Sequence, residues 1–440
     1  MVPSGLSRPE LEPLIVRDLQ QRLNDVSAGS ARRIADYQES RLRDLVTHAA
    51  ATAPYYATCL EPFAGSANWK LSDLPFLTRA TLRDCWATLV SDTANGTVCD
   101  RKVTSGTSGI PVTILQSEAE WYSTLHYDLK RAVSIARFDR EEHFASPYVL
   151  AITDNPFHAP FATYNPLLDK WCRFEVMDPL DGGSIRRALE LIEELEPAVL
   201  ICRPGGLQLL AEQVCDRGRR LSTPLSIVSC GANLYSDDRR RFTEVLNATI
   251  CDLYALSECS GVASTCPRGR FHVHWELASV EIIDPATGEP AKPEQPGKIV
   301  VTDLSRQAMP IIRYETGDWA TGAALECPCG LPGPCLLSVD GRDGCYFRLP
   351  QHRLFNPAVF NTPLSWVRGL QQYRLVQTLP AHIRVEYSAN GVDAAALQQE
   401  MEQIISQALP EPIQISFERK QSLEVPGKKF ERYLSVVPAS

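Results

Sequence analysis

The chain has 440 residues, and its 44 Lys and Arg against 53 Asp and Glu give a formal net charge of −9. Hydrophobic residues make up 44% and charged residues 22%, which is typical of a globular protein and excludes a wholly disordered, collagen-like or coiled-coil chain. The acidic balance argues against binding to nucleic acid or to an anionic membrane surface. The unusual number is 14 cysteines.

The N-terminal segment and the apolar runs indicate where such a protein resides. The segment that begins at Met1 has neither the basic nor the apolar region of a secretory signal, and runs such as Val199–Cys202 are far shorter than the ~18 residues of a membrane span. We therefore expect a cytoplasmic protein in a reducing environment, where disulfides are disfavoured. The cysteines should then be buried apolar residues or metal ligands.

The first part of the chain has a helical pattern, and a mixed pattern follows it. Apolar residues recur at helical spacing over residues 10–52, and Thr78 is a suitable N-cap for a helix within residues 71–89. From about residue 145, short apolar strands alternate with helices, which predicts βαβ units and a parallel sheet that binds ligands at its carboxyl edge. The predicted strands are 149–152, 199–201, 225–228 and 250–254, and the predicted helices are 184–195, 206–217 and 237–246.

The pattern changes again after residue 270. Residues 280–284 and 298–302 are predicted to be antiparallel strands, and a strand, a helix and a strand follow at 382–387, 394–408 and 412–418. The predicted fold is a large α/β domain over residues 1–341, with parallel sheets flanked by helices and a small β subdomain. A small α+β domain is predicted over residues 342–440.

One segment has the composition of a phosphate-binding loop. Ser105, Gly106, Thr107, Ser108 and Gly109 combine hydroxyl donors with glycines that let backbone N–H groups approach a triphosphate. The Gly-Lys-Ser/Thr ending of a Walker A loop is missing. Taken alone, the segment is equally typical of a solvated turn.

Four further segments, in the same order along the chain, make this sequence resemble the adenylate-forming enzymes of the acyl-CoA synthetase superfamily. They are Tyr254–Glu258 (Tyr-Ala-Leu-Ser-Glu), Arg313–Asp318 (Arg-Tyr-Glu-Thr-Gly-Asp), Gly341–Arg342 and Pro426–Arg432 (Pro-Gly-Lys-Lys-Phe-Glu-Arg). The similarity is greatest to the phenylacetate–CoA ligase-like branch. That branch has Asp-Leu-Pro-x-x-Thr-Lys where this chain has Asp73–Thr78 followed by Arg79, and the turn at Gly231–Asn233 also matches.

The resemblance implies ATP-dependent formation of an acyl-adenylate from a carboxylic acid, followed by transfer of the acyl group to coenzyme A. It implies that Ser105–Gly109 hold the β- and γ-phosphates, that Tyr254 stacks on adenine and that Ser257 contacts the α-phosphate. Glu258 would bind Mg²⁺, Asp318 would accept both ribose hydroxyls, and Arg342 would lie near the ribose and phosphates. The catalytic lysine is Lys428 or Lys429, and the Gly-Lys spacing slightly favours Lys428.

A second group of residues has the chemistry of a metal site. Cys327, Cys329 and Cys335 lie close together, and Cys266 and His272 lie upstream with Cys259 and His274 nearby. Thiolates with an imidazole suggest a closed, tetrahedral and hence structural Zn²⁺ site. Some phenylacetate–CoA ligase-like proteins carry a matching set, and this resemblance implies the ligands Cys266, His272, Cys327 and Cys329. Replacement of one of them by Cys259 or Cys335, or simple burial of reduced cysteines, stays open.

The resemblance also indicates which segments border the acid. The expected wall residues are Phe161, Tyr164, Pro204, Gly205, Gly231 and Ala232, which suit a compact aromatic acid. The expected partners are a small carboxylic acid, ATP and coenzyme A; a homodimer is compatible with the sequence, and neither nucleic acid nor a membrane is expected. Alternative acceptors of the acyl group are an amine, a hydroxyl or a carrier-protein thiol. The rival from another class is an inactive, zinc-stabilised interaction protein.

Overall fold

The computed structural model describes most of the chain, and the account below concerns those residues. They are 8–27, 30–66, 68–94, 98–103, 112–153, 160–178, 181–342, 346–350, 354–355, 357–360, 363–364, 367–421, 423 and 431–437. None of the helices in these ranges combines the length and the apolar character needed to cross a bilayer. The predicted phosphate loop, Ser105–Gly109, and both candidate lysines, Lys428 and Lys429, lie outside the described residues.

The N-terminal part is helical, as its apolar spacing predicts. The helices are α1 (Arg8–Ser27), α2 (Ala31–Thr52), α3 (Pro54–Cys59), α4 (Arg79–Asp84) and α5 (Trp86–Leu89). Thr78 caps α4, because its side chain accepts a hydrogen bond from the Thr81 N–H group, which has no partner within the helix. A hairpin follows, in which β1 (Val98–Val103) pairs antiparallel with β2 (Thr113–Ser117) on either side of residues 104–111.

A twelve-stranded sheet forms the centre of the molecule. Its strands are β3 (Tyr148–Thr153), β4 (Phe161–Asn165), β5 (Lys170–Val176), β6 (Val199–Cys202), β7 (Leu225–Cys230), β8 (Ala248–Leu256), β9 (Ser260–Thr265), β10 (Phe271–Val273), β11 (Ala278–Ile283), β12 (Pro296–Asp303), β13 (Tyr314–Gly322) and β14 (Cys335–Arg342). Their order across the sheet is β11-β12-β13-β14-β10-β9-β8-β7-β6-β3-β5-β4. Strands β5, β3, β6, β7 and β8 are parallel, which confirms the predicted parallel sheet.

Helices cover both faces of the parallel strands. They are α6 (Glu118–Ala136), α7 (Gly182–Leu195), α8 (Pro204–Arg217) and α9 (Ser236–Val245). Apolar residues of α7, α8 and α9 form one core with β6 and β7, while α6 packs in a second core against Val149, Val228 and Cys251. Burial on both faces explains the near-continuous apolar character of these strands.

Two features of the sheet differ from the sequence-based expectation in detail. Strands β9–β14, expected as a small β subdomain, are antiparallel but continue the same sheet through the pairing of β8 with β9. Residues 161–176, expected in part as a pocket wall, form the antiparallel hairpin β4–β5 at the sheet edge. Hydrogen bonding to the neighbouring strand decides both outcomes, and the periodicity of one segment carries no information about its neighbour.

The C-terminal part has its own sheet and core. Its elements are β15 (Phe347–Arg348), β16 (Leu354–Phe355), β17 (Leu370–Leu379), β18 (His382–Ala389), α10 (Ala394–Ala408), β19 (Gln414–Arg419) and β20 (Tyr433–Ser435). Four of these strands form a sheet in the order β19-β18-β17-β20, and α10 buries Leu397, Met401 and Ile405 in the local core. The predicted strand–helix–strand pattern and the large α/β plus small α+β fold class are confirmed.

Candidate active site

The candidate site lies where two parallel strands end side by side. Strand β7 leads into the turn Gly231–Asn233, and β8 leads into Ser257 and Glu258. Gly231 has φ +81°, which disfavours other residues, and a Cβ atom there would lie 3.2 Å from Arg203 Nε. This turn therefore brings the backbone close to the cleft without a side chain in the way.

Residues from distant parts of the sequence line the cleft. They are Gly231, Ala232, Asn233, Asp252, Leu253, Tyr254, Ala255, Leu256, Phe271, Asp318, Val339, Gly341, Arg342 and Glu431. Five predicted site residues are among them: Gly231, Ala232, Tyr254, Asp318 and Arg342. Glu431 also lines the cleft, and it directly follows residues 424–430 in the sequence.

Asp318 is the centre of the cleft's polar network. Tyr254 Oη donates a hydrogen bond of 2.8 Å to Asp318 Oδ2, and Arg342 Nε lies 3.5 Å from Oδ1. Asp318 and Arg342 face each other across the β13–β14 register. Burial and the neighbouring Asp318 carboxylate raise the pKa of Tyr254 well above its ordinary value, so the phenol stays protonated and remains a donor. The Asp318 backbone N–H is held by Thr316 Oγ1 at 3.0 Å, which fixes the carboxylate in place.

Glu258 is held by two donors on one oxygen. Arg79 Nη1 and Tyr314 Oη each lie 3.1 Å from Glu258 Oε1, and the Glu258 side chain is only 6% exposed. The adjacent Ser257 is exposed, and neither Ser257 nor Glu258 is among the residues that line the cleft. Arg79, which occupies the position of the usual lysine in the resembled branch, therefore contacts the predicted Mg²⁺ ligand directly. The second oxygen, Oε2, has the acceptor capacity that a cation would need.

Four predicted wall residues do not line this cleft. Phe161 and Tyr164 lie on the edge hairpin and are 45% and 40% exposed; the Phe161 ring stacks on Phe174 at 4.2 Å, and Tyr164 bonds to Asp169. Pro204 and Gly205 begin helix α8, where Pro204 is buried. Strand pairing and helix packing direct these residues away from this cleft, and their role in binding the acid stays a prediction.

Asp252 is a cleft residue that sequence reasoning missed. It lies two residues before Tyr254 on β8, on the same side of the strand, and its nearest cation is Arg239 Nη2 at 3.9 Å. Burial raises the pKa of Asp252 to about 7, an effect that Arg239 only partly opposes. The signal was available, because a carboxylate inside the apolar run Ile250–Leu253 is unusual for a strand covered on both faces.

The cysteine and histidine cluster lies at the far end of the same strands. The ligand atoms of Cys266, His272, Cys327 and Cys329 all lie within 4.8 Å of one another. The sulfurs of Cys266 and Cys327 are 3.7 Å apart, close to the ~3.8 Å edge of a tetrahedron with Zn–S bonds of about 2.3 Å. Cys329 Sγ lies 3.2 Å from His272 Nε2. The four predicted residues are thus brought together in a geometry that suits a four-coordinate metal ion.

Two turns with similar sequences supply the three sulfurs of the cluster. Cys266–Gly269 and Cys327–Gly330 both read Cys-Pro-x-Gly, and each glycine N–H donates to the carbonyl of the first cysteine, at 2.8 and 3.1 Å. Both glycines have positive φ, 75° and 81°. Backbone N–H groups also point at sulfur, from Arg268 to Cys266 at 3.4 Å and from Leu331 to Cys329 at 3.5 Å. Such donors stabilise thiolates over thiols.

The remaining cluster candidates are placed outside this group of ligand atoms. Cys335 packs beside Cys266 and Cys327 with its sulfur 4.0 Å from the Leu325 carbonyl, and Cys259 lies in the core beneath the N-terminal helices. Burial, with smaller effects of Arg131 and Arg270, lowers the pKa of His272 to about 4, so its imidazole is neutral and able to bind a metal. The twelve cysteines whose side chains the structure describes form no disulfide with one another.

The chain is similar to known proteins in its sequence and in its fold. Residues 104–306 match the AMP-binding enzyme family. A phenylacetate-coenzyme A ligase of Thermus thermophilus is 28% identical over 323 residues, which cover 69% of this chain and 70% of the relative. The corresponding ligase of Pseudomonas putida is 27% identical over 319 residues, covering 67% and 68%.

Two solved structures show the same fold. A 2-hydroxyisobutyryl-CoA ligase in the postadenylation state superposes with a TM-score of 0.70 at 19% identity, covering 92% of this chain and 90% of that one. An anthranilate CoA ligase in complex with anthranoyl-AMP superposes with a TM-score of 0.57 at 15% identity, covering 76% and 65%. Each of these proteins is named for joining a carboxylic acid to coenzyme A.

Proposed function

We propose that the chain is an AMP-forming acid–CoA ligase of the adenylate-forming AMP-binding enzymes, in their phenylacetate–CoA ligase-like branch. In the first step an oxygen of the carboxylate attacks the α-phosphorus of ATP and pyrophosphate leaves. In the second step the thiol of coenzyme A attacks the acyl carbonyl carbon and AMP leaves. The single observation that carries the proposal is the convergence of Tyr254, Asp318 and Arg342 on one cleft.

The cleft residues suit the binding of a nucleotide. Asp318 has two acceptor oxygens for the ribose hydroxyls, and its contacts with Tyr254 and Arg342 orient the carboxylate. The Gly231–Ala232 turn and Tyr254 both line the cleft in which a base would bind. Glu258 would hold Mg²⁺, which supplies positive charge to the phosphates, while Arg79 and Tyr314 keep the Glu258 carboxylate oriented.

The segments outside the described residues complete the proposal. Ser105–Gly109 would hold the β- and γ-phosphates, and Lys428 or Lys429 would bridge the ribose and the reacting carboxylate. Both lysines precede Glu431 by no more than three residues, and Glu431 lines the cleft. We also propose the division into an adenylating domain, residues 1–341, and a C-terminal domain, residues 342–440; the separate four-stranded sheet supports it.

The substrate that we propose is a small aromatic carboxylic acid. The support comes from the relatives named for phenylacetate and from the structural neighbour named for anthranilate. Of the predicted wall residues, Gly231 and Ala232 line the cleft.

We propose a structural Zn²⁺ ion bound by Cys266, His272, Cys327 and Cys329. All four protein ligands are present, so the ion would have no open coordination position for catalysis. Its expected contribution is to join the β9–β10 and β13–β14 turns, and a reducing cytoplasm would keep the thiols available.

Mass spectrometry of the products tests the proposed function. The protein is incubated with ATP, Mg²⁺, coenzyme A and single acids from a panel of benzoates, phenylacetates, anthranilate, short hydroxy acids and fatty acids. We expect AMP and an aryl-CoA thioester, and Asp318→Ala serves as the inactive control. An adenylate that forms without a thioester would redirect the second step to an amine, hydroxyl or carrier thiol. Failure of ATP–pyrophosphate exchange with every acid would refute the proposal.

A further inference from the structure

The turn that carries Glu258 leads directly into an unusual backbone conformation. The turn comprises residues 257–259 and joins the antiparallel strands β8 and β9. Ser260, the first residue of β9, has φ +64°, a left-handed conformation that is uncommon for a residue with a side chain. Such a conformation persists only where surrounding contacts impose it. The residues that contact Ser260 and Gly261 therefore also fix the end of the turn.

Two residues of helix α6 supply such contacts. Thr124 and Asp128 are four residues apart, so they lie on the same face of the helix. Thr124 Oγ1 lies 2.8 Å from Ser260 Oγ. Asp128 is buried, and its Oδ2 accepts a hydrogen bond of 2.8 Å from the Gly261 N–H group. Each of the two residues that follow the turn is therefore held by a side chain of α6.

The helix and the strand approach each other so closely that the strand needs a glycine. A Cβ atom at residue 261 would lie 2.7 Å from Asp128 Cγ and 2.9 Å from Asp128 Oδ1, closer than a Cβ atom packs in a folded protein. Gly261 therefore lets its own N–H group come within hydrogen-bond distance of the Asp128 carboxylate. The contact between α6 and β9 depends on the identity of both residues.

A chain of hydrogen bonds orients the Ser260 hydroxyl. Arg306 Nη2 donates to Ser260 Oγ at 3.3 Å. Thr124 Oγ1 donates to the Glu120 carbonyl at 3.0 Å. Because Thr124 has one hydroxyl proton, Ser260 donates its own proton to Thr124 Oγ1. Every bond in the chain then has a fixed direction, which holds the Ser260 side chain in one orientation.

We propose that Asp128 and Thr124 are positioning residues for Glu258: they fix the backbone that follows its turn, so that the Glu258 carboxylate keeps the orientation in which it binds Mg²⁺. This inference rests on the proposed function, in which Glu258 holds the metal ion. Arg79 and Tyr314 hold the carboxylate itself, whereas α6 holds the backbone from which it projects. A displacement of about 1 Å near the reacting groups can cost 10²-fold in rate. In this role Asp128 and Thr124 act through the turn, not through contact with the metal ion.

The variants Asp128→Ala and Thr124→Val test this role in the full-length protein. Asp128→Ala removes the acceptor for the Gly261 N–H group, and Thr124→Val removes a hydroxyl with little change of shape. In Mg²⁺ titrations of ATP–pyrophosphate exchange, the Mg²⁺ concentration for half-maximal activity should rise about tenfold in Asp128→Ala and about threefold in Thr124→Val. The KM for the acid should change by no more than about twofold. Unchanged Mg²⁺ dependence in both variants would overturn the proposal.

Two further variants separate positioning from stability. Asp128→Asn keeps an acceptor oxygen for the Gly261 N–H group, so its Mg²⁺ dependence should stay near that of wild type even where its Tm falls. Tyr127→Phe is the matched control, because Tyr127 is buried on the same helix and donates its hydroxyl to Glu276, outside the turn, at 3.0 Å. It should lower Tm without changing the Mg²⁺ dependence. The proposal is wrong if either variant shifts the Mg²⁺ dependence as far as Asp128→Ala does.

A double-mutant cycle shows whether Asp128 acts through Glu258. Asp128→Ala is combined with Glu258→Gln, and ATP–pyrophosphate exchange is measured at one fixed Mg²⁺ concentration for the four proteins of the cycle. If Asp128 acts by orienting the Glu258 carboxylate, its effect on the exchange rate should largely disappear in the Glu258→Gln background. Effects of the two substitutions that simply add would contradict the proposal.

Hydrogen exchange keeps the test independent of enzyme activity. In Asp128→Ala, without nucleotide or added Mg²⁺, the backbone amides of residues 257–262 should exchange about tenfold faster or more, while those of β7 stay protected. Unchanged exchange overturns the positioning of the turn even in an active enzyme. Faster exchange in a protein without any adenylation activity would instead support the positioning of the turn and refute the proposed function.

Discussion

The nucleotide cleft and the Cys/His cluster lie at opposite ends of the same strands. Strand β14 begins at Cys335, beside the cluster, and ends at Arg342, in the cleft, so about 23 Å of strand separates the two sites. Asp318 in the cleft and Glu258 after β8 each bind a guanidinium and a tyrosine hydroxyl of this chain. In the cluster, three sulfurs and an imidazole contact one another and backbone N–H groups.

This difference shows two ways of preparing a site for a cation or a polar ligand. The cleft keeps its acidic groups paired with protein donors that ligands can replace in each catalytic cycle. The cluster gathers soft ligands, and the proposed permanently bound ion would make their mutual approach favourable. The first arrangement suits a site whose ligands bind and leave, and the second suits a structural metal site.

Removal of a ligand of the Cys/His cluster should have the largest effect, and it should lower the stability of the protein. We expect Cys327→Ser to lose zinc and to lower Tm by about 10 °C or more, because apparent binding energies of structural zinc sites rival the whole net stability of a domain. Elemental analysis and thermal unfolding measure both quantities. Cys215→Ser, at an exposed position on α8, is the control and should match wild type. The cluster would not be a structural zinc site if the wild-type protein held far less than one zinc per chain and its Tm did not change after chelation. The contrast between the two sites would then be wrong.

Removal of the central carboxylate of the cleft should abolish function with little effect on folding. Asp318→Ala should lower kcat/KM of adenylation by about 10²- to 10³-fold, because an oriented acceptor for the ribose is lost and Tyr254 and Arg342 lose their partner. ATP–pyrophosphate exchange measures the loss. Asp139→Asn, an exposed carboxylate far from the cleft in sequence, should have no effect. A Tm that falls as far as in the cysteine variant would make Asp318 structural.

Sequence reasoning predicted the cluster and the nucleotide motifs for different reasons. The cluster ligands form two short Cys-Pro-x-Gly turns with a nearby histidine, so their chemistry is local and visible. The cleft residues are far apart in the chain, and only the joint order of their motifs identified them. The pairing of Asp318 with Arg342 depends on a register with shifts on β13 and β14, which no single segment encodes.

The positions of Phe161, Tyr164 and Asp252 could not be predicted, for equally specific reasons. Phe161 and Tyr164 are aromatic, and aromatic residues suit a pocket wall and an edge strand alike. Their strand pairs with β5 at the sheet edge, which leaves both side chains on the surface. Asp252 was missed because it lies inside an apolar run that predicts a strand, and the reason for a carboxylate at that point appears only once the cleft is assembled.

Removal of a hydrogen-bond donor to Glu258 should have an intermediate effect on activity. Arg79→Ala leaves a buried carboxylate with one of its two described donors, so we expect kcat to fall about tenfold and the Mg²⁺ concentration for half-maximal activity to rise. Arg79→Lys should stay within about threefold of wild type, since lysine is usual at this position in the resembled branch. Mg²⁺ titrations of both variants test the point. Equal losses in the two variants would mean that the planar fork of arginine, rather than its charge, orients Glu258.

Replacement of Asp252 should have the smallest effect. It should change how the stability of the protein depends on pH. Because burial raises the pKa of this carboxyl to about 7, the native state binds a proton that the unfolded state has already released between about pH 4 and pH 7. Native stability therefore falls as the pH rises through this window. Asp252→Asn lacks the effect and should be more stable than wild type at pH 8 by roughly 2 to 4 kcal/mol.

Denaturant unfolding at pH 5 and pH 8 measures this difference between wild type and Asp252→Asn. The two proteins should unfold at similar denaturant concentrations at pH 5 and diverge at pH 8, whereas Asp139→Asn should follow wild type at both. Parallel pH profiles for wild type and Asp252→Asn would mean that the carboxylate is ionised at no cost. A cation or donor would then bind it more closely than Arg239 does at 3.9 Å, and Asp252 would resemble the other paired carboxylates of the cleft.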